Sequence, residues 1–426
     1  MKNILVALLF LAAGSAAALE FSEKDLKSNN FAVKIPAESG KDLPIFCTVT
    51  YTAEKPVEII FKPVNSVFRY RTKRLPAAKE AKTVTFSMRF FTQSGIETIV
   101  EVKSKGAFDF QKFQLVNEWQ KGHEQYLNTM VPDPLRKKNP RHKAIKNDYS
   151  KAGKNPVVLF GDSLTDNWRG EHFARMKEIF GGNGIVNAGI CGDRIEHLLW
   201  RMNDMEEMLK ANPPSVAVFF IGTNNSGGNT ADEILYGMEN LVRTLRGYCP
   251  QTKVIVLGLA PRGLAFARKA LRHIDPVNVR YRTLADWKDV YYYEFSNDLM
   301  NPDDRALKMD FYTNDALHFS GKGYAEVITP NVAGMIKLVQ SPKLPADFFR
   351  QMDRWQKYLQ VRYEASLQNP NLEEQLCCEA HLKDLPVFWR KTLESVLADP
   401  GFVPVLPPEY LRQQKEEGLP PAVCPE

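Results

Sequence analysis

Residues 157–168 read VVLFGDSLTDNW. Four apolar residues run directly into Gly161-Asp162-Ser163-Leu164. A short buried strand ending this way has two readings. One is an ordinary polar turn; the other is a nucleophile held at the end of a rigid strand. A serine hydroxyl is a weak nucleophile until a base takes its proton. By composition alone, a Gly-Asp-Ser tripeptide arises in on the order of one chain in ten of this length. The choice therefore rests on what the neighbouring segments end on.

Outward from this stretch, the pattern alternates from residue 155 onward. Buried strands are expected at VVLF, GIVNAG, SVAVFFIG, KVIVLGL and VYYYEF, with helical stretches at 193–210, 231–248 and 276–287 and a closing helix at 321–339. Strands alternating with helices imply a parallel sheet covered on both faces. Ligands of such sheets bind at the carboxyl ends of the strands. Polar residues that follow the apolar runs are therefore the ones to weigh.

Four places qualify. Ser163 follows the first strand. Gly192, in NAGICGDRIEHLLW, follows the second and precedes a helix; its N–H can serve an oxyanion or the glycine can serve only the turn. Asn224, in FFIGTNNSGG, follows the third; its amide can donate to a developing oxyanion, although Asn after a strand more often makes an Asx turn. The last is DALHFS, with Asp315 three residues before His318. A serine nucleophile needs an imidazole base, and the base needs a partner for its other nitrogen. Of seven histidines, the remaining six have no acid at that spacing, and they read as surface or satisfied core residues.

Taken together, GDSL, GICGD, GTNN and DALH resemble the motif blocks of the SGNH (GDSL) hydrolase family over about residues 155–340. NAGICGDRIEHLLWRM, IGTNNSG and VLGLAPRG most resemble its branch of platelet-activating-factor acetylhydrolases and related bacterial esterases. The resemblance implies a flavodoxin-like, three-layer α/β/α domain with a parallel sheet. It implies esterase chemistry in which Ser163 attacks, His318 is the base and Asp315 orients it. The oxyanion donors are then Ser163, Gly192 and Asn224. The third block of the family more often ends in Asp; Asn225 occupies that place here. The chain has no GxSxG, HExxH, Walker lysine loop or CxxC, and the mechanism calls for no cofactor and no metal.

The flanks read differently. Residues 1–18, MKNILVALLFLAAGSAAA, have the basic start, apolar core and small-residue end of a cleavable secretory signal, so a secreted or periplasmic protein is expected. The apolar stretch is short for a membrane span, and stable membrane insertion is not expected. Residues 19–115 carry short segments rich in Val, Ile, Thr and Phe, which suggest a small β-sandwich. Residues 116–154 read as a basic linker or helical connector. Residues 341–426 read as helices packed on the catalytic unit, then a Pro-rich extended tail.

The chain has 426 residues, 44% apolar and 25% charged, the composition of a soluble globular protein. A net charge of +6 over this length makes no case for a nucleic-acid partner. Six cysteines, at 47, 191, 249, 377, 378 and 424, are too sparse for a disulfide scaffold; they read as structural, with no pairing assignable. The expected function is removal of a short acyl group, acetyl first, from a small ester or an acylated polysaccharide. Export and the added β-domain favour carbohydrate, with a lipid or lysophospholipid as the enzymatic alternative. An inactive binding protein is the alternative of another class. The oligomeric state is open.

Overall fold

The structure, a computed structural model, describes residues 18–20, 30–34, 45–63, 71–88, 97–116, 127–263, 274–301, 306–345, 347–353, 387–399 and 401–405. Residues 1–17 of the expected signal, Cys377, Cys378, Cys424 and most of the Pro-rich tail lie outside them. The chain divides into two units, Met1–Pro132 with Gly228–Gly237 and Asp133–Gly227 with Met238–Glu426.

The first unit holds two four-stranded antiparallel sheets. One has the order β1-β8-β3-β6 and the other β2-β7-β4-β5. The strands are β1 (Ala18–Glu20), β2 (Asn30–Lys34), β3 (Ile45–Ala53), β4 (Val57–Pro63), β5 (Arg71–Leu75), β6 (Ala78–Met88), β7 (Glu97–Ser104) and β8 (Phe108–Val116). Cys47, Val49 and Tyr51 of β3 share one apolar cluster with Val57, Ile59 and Phe61 of β4. That period of two, from members of both sheets, is what a two-sheet core requires. On the other face of β3, Thr48 and Thr50 hydrogen-bond through their hydroxyls to Thr85 and Thr83 of β6, each at 2.9 Å.

The segments FAVKI, IFCTVTYT, VEIIFKP, TVTFSMRFF and ETIVEVKS, whose Val, Ile, Thr and Phe content marks them as strands, fall on β2, β3, β4, β6 and β7; β1, β5 and β8 are not among them, the last two for physical reasons. In β8, Leu115 and Phe113 face the core, and so does Phe110. The register against β3 shifts between Thr50 and Tyr51, opposite Lys112 and Phe110. This bulge inserts one residue and breaks the simple alternation. β5 reads RTKRL and lies at a sheet edge, where charged side chains are tolerated and discourage further pairing.

The second unit is built on a five-stranded, wholly parallel sheet of order β10-β9-β11-β12-β13. Its strands are β9 (Val157–Gly161), β10 (Ile185–Gly189), β11 (Val216–Phe220), β12 (Lys253–Leu257) and β13 (Val290–Tyr293). In chain order this is 2-1-3-4-5, the flavodoxin-like winding, with its switch point where β9 meets its two neighbours. Every residue of β9, β10, β11 and β13 is buried. Continuous apolar runs of this kind belong to a sheet covered on both faces.

The helices of this unit include α1 (Pro140–Ser150), α2 (Ser163–Asp166), α3 (Glu171–Ile179), α4 (Ile195–Asp204), α5 (Glu206–Ala211), α6 (Ala231–Tyr248, which begins among residues grouped with the first unit), α7 (Asp275–Arg282) and α8 (Thr329–Gln340). α8 is preceded by a π-helical turn, Tyr324–Ile328. Within the basic stretch 116–154, α1 buries His142, Ile145 and Tyr149. Phe348, Phe349, Met352, Trp389, Leu393 and Val396, beyond residue 341, belong to the same apolar cluster as strands β9, β11 and β12. Among the described residues, no helix is long and apolar enough to cross a membrane.

Candidate active site

β9 delivers Ser163 to the carboxyl edge of the sheet. Asp162 is the N-cap of α2, and its Oδ1 accepts from Leu164 N at 3.0 Å. This is the usual role of an acid at a helix start, and it forces the chain to turn at Ser163. Gly161 is needed there: a Cβ would meet Phe220 O at 2.6 Å and Thr165 Oγ1 at 2.0 Å. Tyr324, from the π-helical turn, donates to Leu164 O at 2.8 Å and pins the same turn from another element.

The loop 312–320 brings the histidine to the serine. Asp315 Oδ1 accepts from the N–H groups of Leu317 and His318 at 2.9 and 3.0 Å and from Thr313 Oγ1 at 2.8 Å. Ala316 takes the left-handed region, φ 51°, an uncommon conformation for a residue with a Cβ. It is fixed by Thr313 O, which accepts from Ala316 N, and by Gly263 N, which donates to Ala316 O. His318 Nδ1 meets Asp315 Oδ2 at 2.5 Å, and His318 Nε2 meets Ser163 Oγ at 2.8 Å. Partial burial pushes the Asp315 carboxyl up, but its bonds from the His318 ring and from the His318, Leu317 and Thr313 donors hold it well below the usual carboxylate range.

Gly192 and Asn224 sit on the turns after β10 and β11. Gly192 has φ +73°, which residues other than glycine adopt with difficulty. Asn224 Nδ2 donates to Asp193 O at 2.8 Å, and Ile190 N donates to Gly161 O at 3.2 Å. The two turns are thereby joined to each other and to the serine strand. An amide has two N–H groups, so Asn224 has a second N–H beyond the one given to Asp193 O. Among the described residues, the backbone N–H groups of Ser163 and Gly192 have no acceptor.

Beneath these five residues lies a layer that sequence reading did not assign. Asp193 and Arg201 are both fully buried; Arg201 Nε reaches Asp193 Oδ2 at 2.7 Å, and Nη1 donates to Ala188 O at 3.0 Å. Asn225 is also fully buried. Its Oδ1 accepts from Ile195 N at 3.0 Å and its Nδ2 donates to Glu196 Oε2 at 2.9 Å. Glu196 in turn holds Arg194, whose Nη1 donates to Asn224 O at 3.1 Å. The departure from Asp at position 225 is explained here: an acid would set two carboxylates against each other. That departure was the one visible signal; nothing in the sequence marks Glu196 as its partner.

Asp162 is buried, and its Oδ2 has no partner among the described residues. Burial, with Asp193 adding to it, pushes its carboxyl up to about 7 against the opposing Leu164 N–H bond and Arg262 charge. Cys47 and Cys249 are buried, whereas Cys191 is exposed on the turn beside Gly192. Among the described residues, no group of three or more His, Cys, Asp and Glu side chains is arranged to hold a metal ion.

Parts of this chain are similar to known proteins. Residues 159–326 match the model of the GDSL-like lipase/acylhydrolase family. The platelet-activating factor acetylhydrolase IB subunit alpha2 of Homo sapiens is 33% identical over 178 residues, 42% of this chain and 75% of that protein. The alpha1 subunit of Bos taurus is 31% identical over 185 residues, 40% of this chain and 71% of that one. Two solved structures are similar over part of the chain. A GDSL-like lipase from Bacteroides thetaiotaomicron has a TM-score of 0.36 and 17% identity, covering 46% of this chain and 98% of that one. A family two carbohydrate esterase from Cellvibrio japonicus has a TM-score of 0.31 and 12% identity, covering 76% and 98%. With a relative above 30% identity matched over three quarters of its length, and the family model over residues 159–326, the chain belongs to the GDSL-like lipase/acylhydrolase family of ester-hydrolysing enzymes.

Proposed function

We propose that this protein is an exported serine esterase that removes a short acyl group, acetyl first, through Ser163, His318 and Asp315. The observation that carries the reading is the unbroken line from Ser163 Oγ through the His318 ring to Asp315 Oδ2, at 2.8 and 2.5 Å. His318 Nε2 takes the proton of Ser163 as Oγ attacks the ester carbonyl. Asp315, ionised over the working pH range, keeps the proton on His318 Nδ1. The tetrahedral oxyanion is stabilised by the N–H groups of Ser163 and Gly192 and by the remaining N–H of Asn224. His318 then protonates the departing alcohol, and water hydrolyses the acyl-enzyme by the same route in reverse.

For the alcohol we favour a carbohydrate. The signal-like N-terminus supports export, and a separate β-sandwich suits attachment to a polymer, which raises local enzyme concentration. A lipid ester is the second reading, favoured by the identity to proteins named platelet-activating factor acetylhydrolases. The test is initial rates on p-nitrophenyl esters of rising chain length, beside acetate release from acetylated xylan and from an acetylated ether phospholipid. The expected result is a maximum at acetyl, with xylan the better natural substrate and no turnover by Ser163→Ala. A protein that turns over no ester and takes up no serine-reactive phosphonate would instead be a binding protein on an esterase fold.

A further inference from the structure

We propose that Asp166 and Arg141 are positioning residues for the oxyanion turn: Asp166 sets the separation between Ser163 and the Gly192 N–H, and Arg141, from α1, holds Asp166. The inference rests on the roles proposed above for Ser163 and Gly192.

Asp166 lies three residues after Ser163 in α2, and its own N–H donates to Asp162 O at 2.8 Å. The helical turn from nucleophile to carboxylate is therefore closed. Asp166 Oδ2 accepts from Cys191 N at 3.0 Å, one peptide before Gly192. In the turn 190–193, Ile190 N is held by Gly161 O, Cys191 N by Asp166 Oδ2, and Asp193 N by Ile190 O at 3.1 Å. The Gly192 N–H is the one left over for substrate among the described residues. Asp166 is the side chain that ties this turn to the helix carrying the nucleophile.

A carboxylate 3% exposed does not hold such a position by itself; buried charge requires a partner. Arg141 Nε donates to Asp166 Oδ1 at 3.0 Å, and its Nη2 donates to Asn187 O at 2.7 Å, in the strand that leads into the turn. Arg169 Nη2 also reaches Asp166 Oδ1, at 2.8 Å, but its side chain is 54% exposed against 18% for Arg141. One guanidinium thus grips the carboxylate and the β10 backbone together, a fork that lysine cannot reproduce. Arg141 lies outside the segment 159–326 that matches the family model. α1 thereby becomes part of the catalytic apparatus.

If the pair only fastened α1 to the unit, its loss would lower stability and leave turnover per folded molecule unchanged. If it positions an oxyanion donor, the loss falls on the transition state, and displacement by about 1 Å is worth up to 10² in rate. The experiment uses the full chain as wild type, Arg141→Met, Arg141→Lys and Arg141→Ala, with active sites counted by phosphonate uptake and folding checked by circular dichroism.

On p-nitrophenyl acetate, Arg141→Met should lower kcat per active site about tenfold to a hundredfold, with KM within about threefold. Affinity for a trifluoromethyl ketone, whose adduct with serine places an oxyanion in the same hole, should fall in parallel with kcat/KM. Arg141→Lys should recover part of the rate, and millimolar methylguanidinium should restore part of it to Arg141→Ala. Unchanged kcat per folded site in Arg141→Met would overturn the proposal, as would a loss of ketone affinity that does not follow kcat/KM. A wild-type protein that neither turns over ester nor takes up phosphonate would overturn the esterase reading itself, and this inference with it.

Discussion

The two sheet systems of this chain bury their residues differently. In the sandwich, β3 and β4 bury alternate residues toward a common core. In the catalytic unit, four of the five strands bury every residue. Polar burial differs more. Among the residues of 45–116 whose burial is described, Ser87 is the one buried polar side chain apart from Tyr51 and Cys47, whereas Asp162, Asp166, Asp193, Glu196 and Arg201 are all at 5% or less. Buried charge is expensive unless paired. Among the described residues, these five lie under the strand ends that present Ser163, Gly192 and Asn224, while Glu233, Asp298 and Asp353 are buried elsewhere. The sandwich is held by apolar burial; the catalytic unit also spends buried ion pairs on holding its turns in place.

The strongest way to break that contrast is Arg201→Met. It leaves the Asp193 carboxylate without its guanidinium in a fully buried site, which should cost about 3–5 kcal/mol by urea unfolding. Ile59→Ala, in the sandwich core, should cost about 2–5 kcal/mol through the cavity it opens. The two differ in kind: Ile59→Ala should leave kcat on p-nitrophenyl acetate unchanged, and Arg201→Met should lower it in the molecules that remain folded. If both variants lose only stability, the buried charge is scaffold alone.

Asn224→Ala sharpens the comparison from the other side. It should lower kcat by roughly 10²–10³, about 2.7–4 kcal/mol, with a smaller change in KM. An increase in KM at constant kcat would make Asn224 a ground-state contact.

Asn225→Asp tests why this chain departs from its family. The new carboxylate would face Glu196 Oε2 at the present 2.9 Å contact. Two carboxylates sharing one site raise the pKa of one of them, so the penalty grows as pH rises. The expected loss is about 1–3 kcal/mol at pH 8 and less at pH 5. Glu196→Gln in the same chain should relieve it. A penalty independent of pH would mean that shape, not charge, selects Asn225.

The five proposed site residues were legible because each follows an apolar run or lies in the last loop, and position along a parallel sheet is one-dimensional information. The layer beneath them was not. Asp166 and Arg141 stand 25 residues apart, Asn225 and Glu196 stand 29 apart, and neither spacing follows a helical or strand repeat. α1 shows three buried positions, His142, Ile145 and Tyr149, in a helix otherwise basic and polar, too sparse a stripe to separate a helical connector from a basic linker. β8 was hidden by its bulge. What sequence patterning conveys is the direction in which a residue faces; which residue it meets depends on turns whose geometry is set by other buried groups.

Asp162→Asn should have the smallest effect, and it isolates the cost of one buried charge. In the folded protein, burial raises this carboxyl to about 7; in the unfolded chain it titrates near 4. The folded state therefore holds a proton that the unfolded state has released. Stability from this group is fully present below about pH 4 and is lost as pH rises through about 7. Asn at the same N-cap accepts from Leu164 N as Asp does and does not titrate. Any fixed change in stability caused by the new amide is the same at each pH and cancels when two pH values are compared. Between pH 6 and pH 8, wild type should therefore lose about 1 kcal/mol relative to Asp162→Asn. Paired urea titrations of both proteins at the two pH values measure that difference directly. Equal offsets at pH 6 and pH 8 would mean that Asp162 does not change charge in this interval and that its orphan oxygen is solvated; the charge layer under Ser163 would then be wetter than its burial implies.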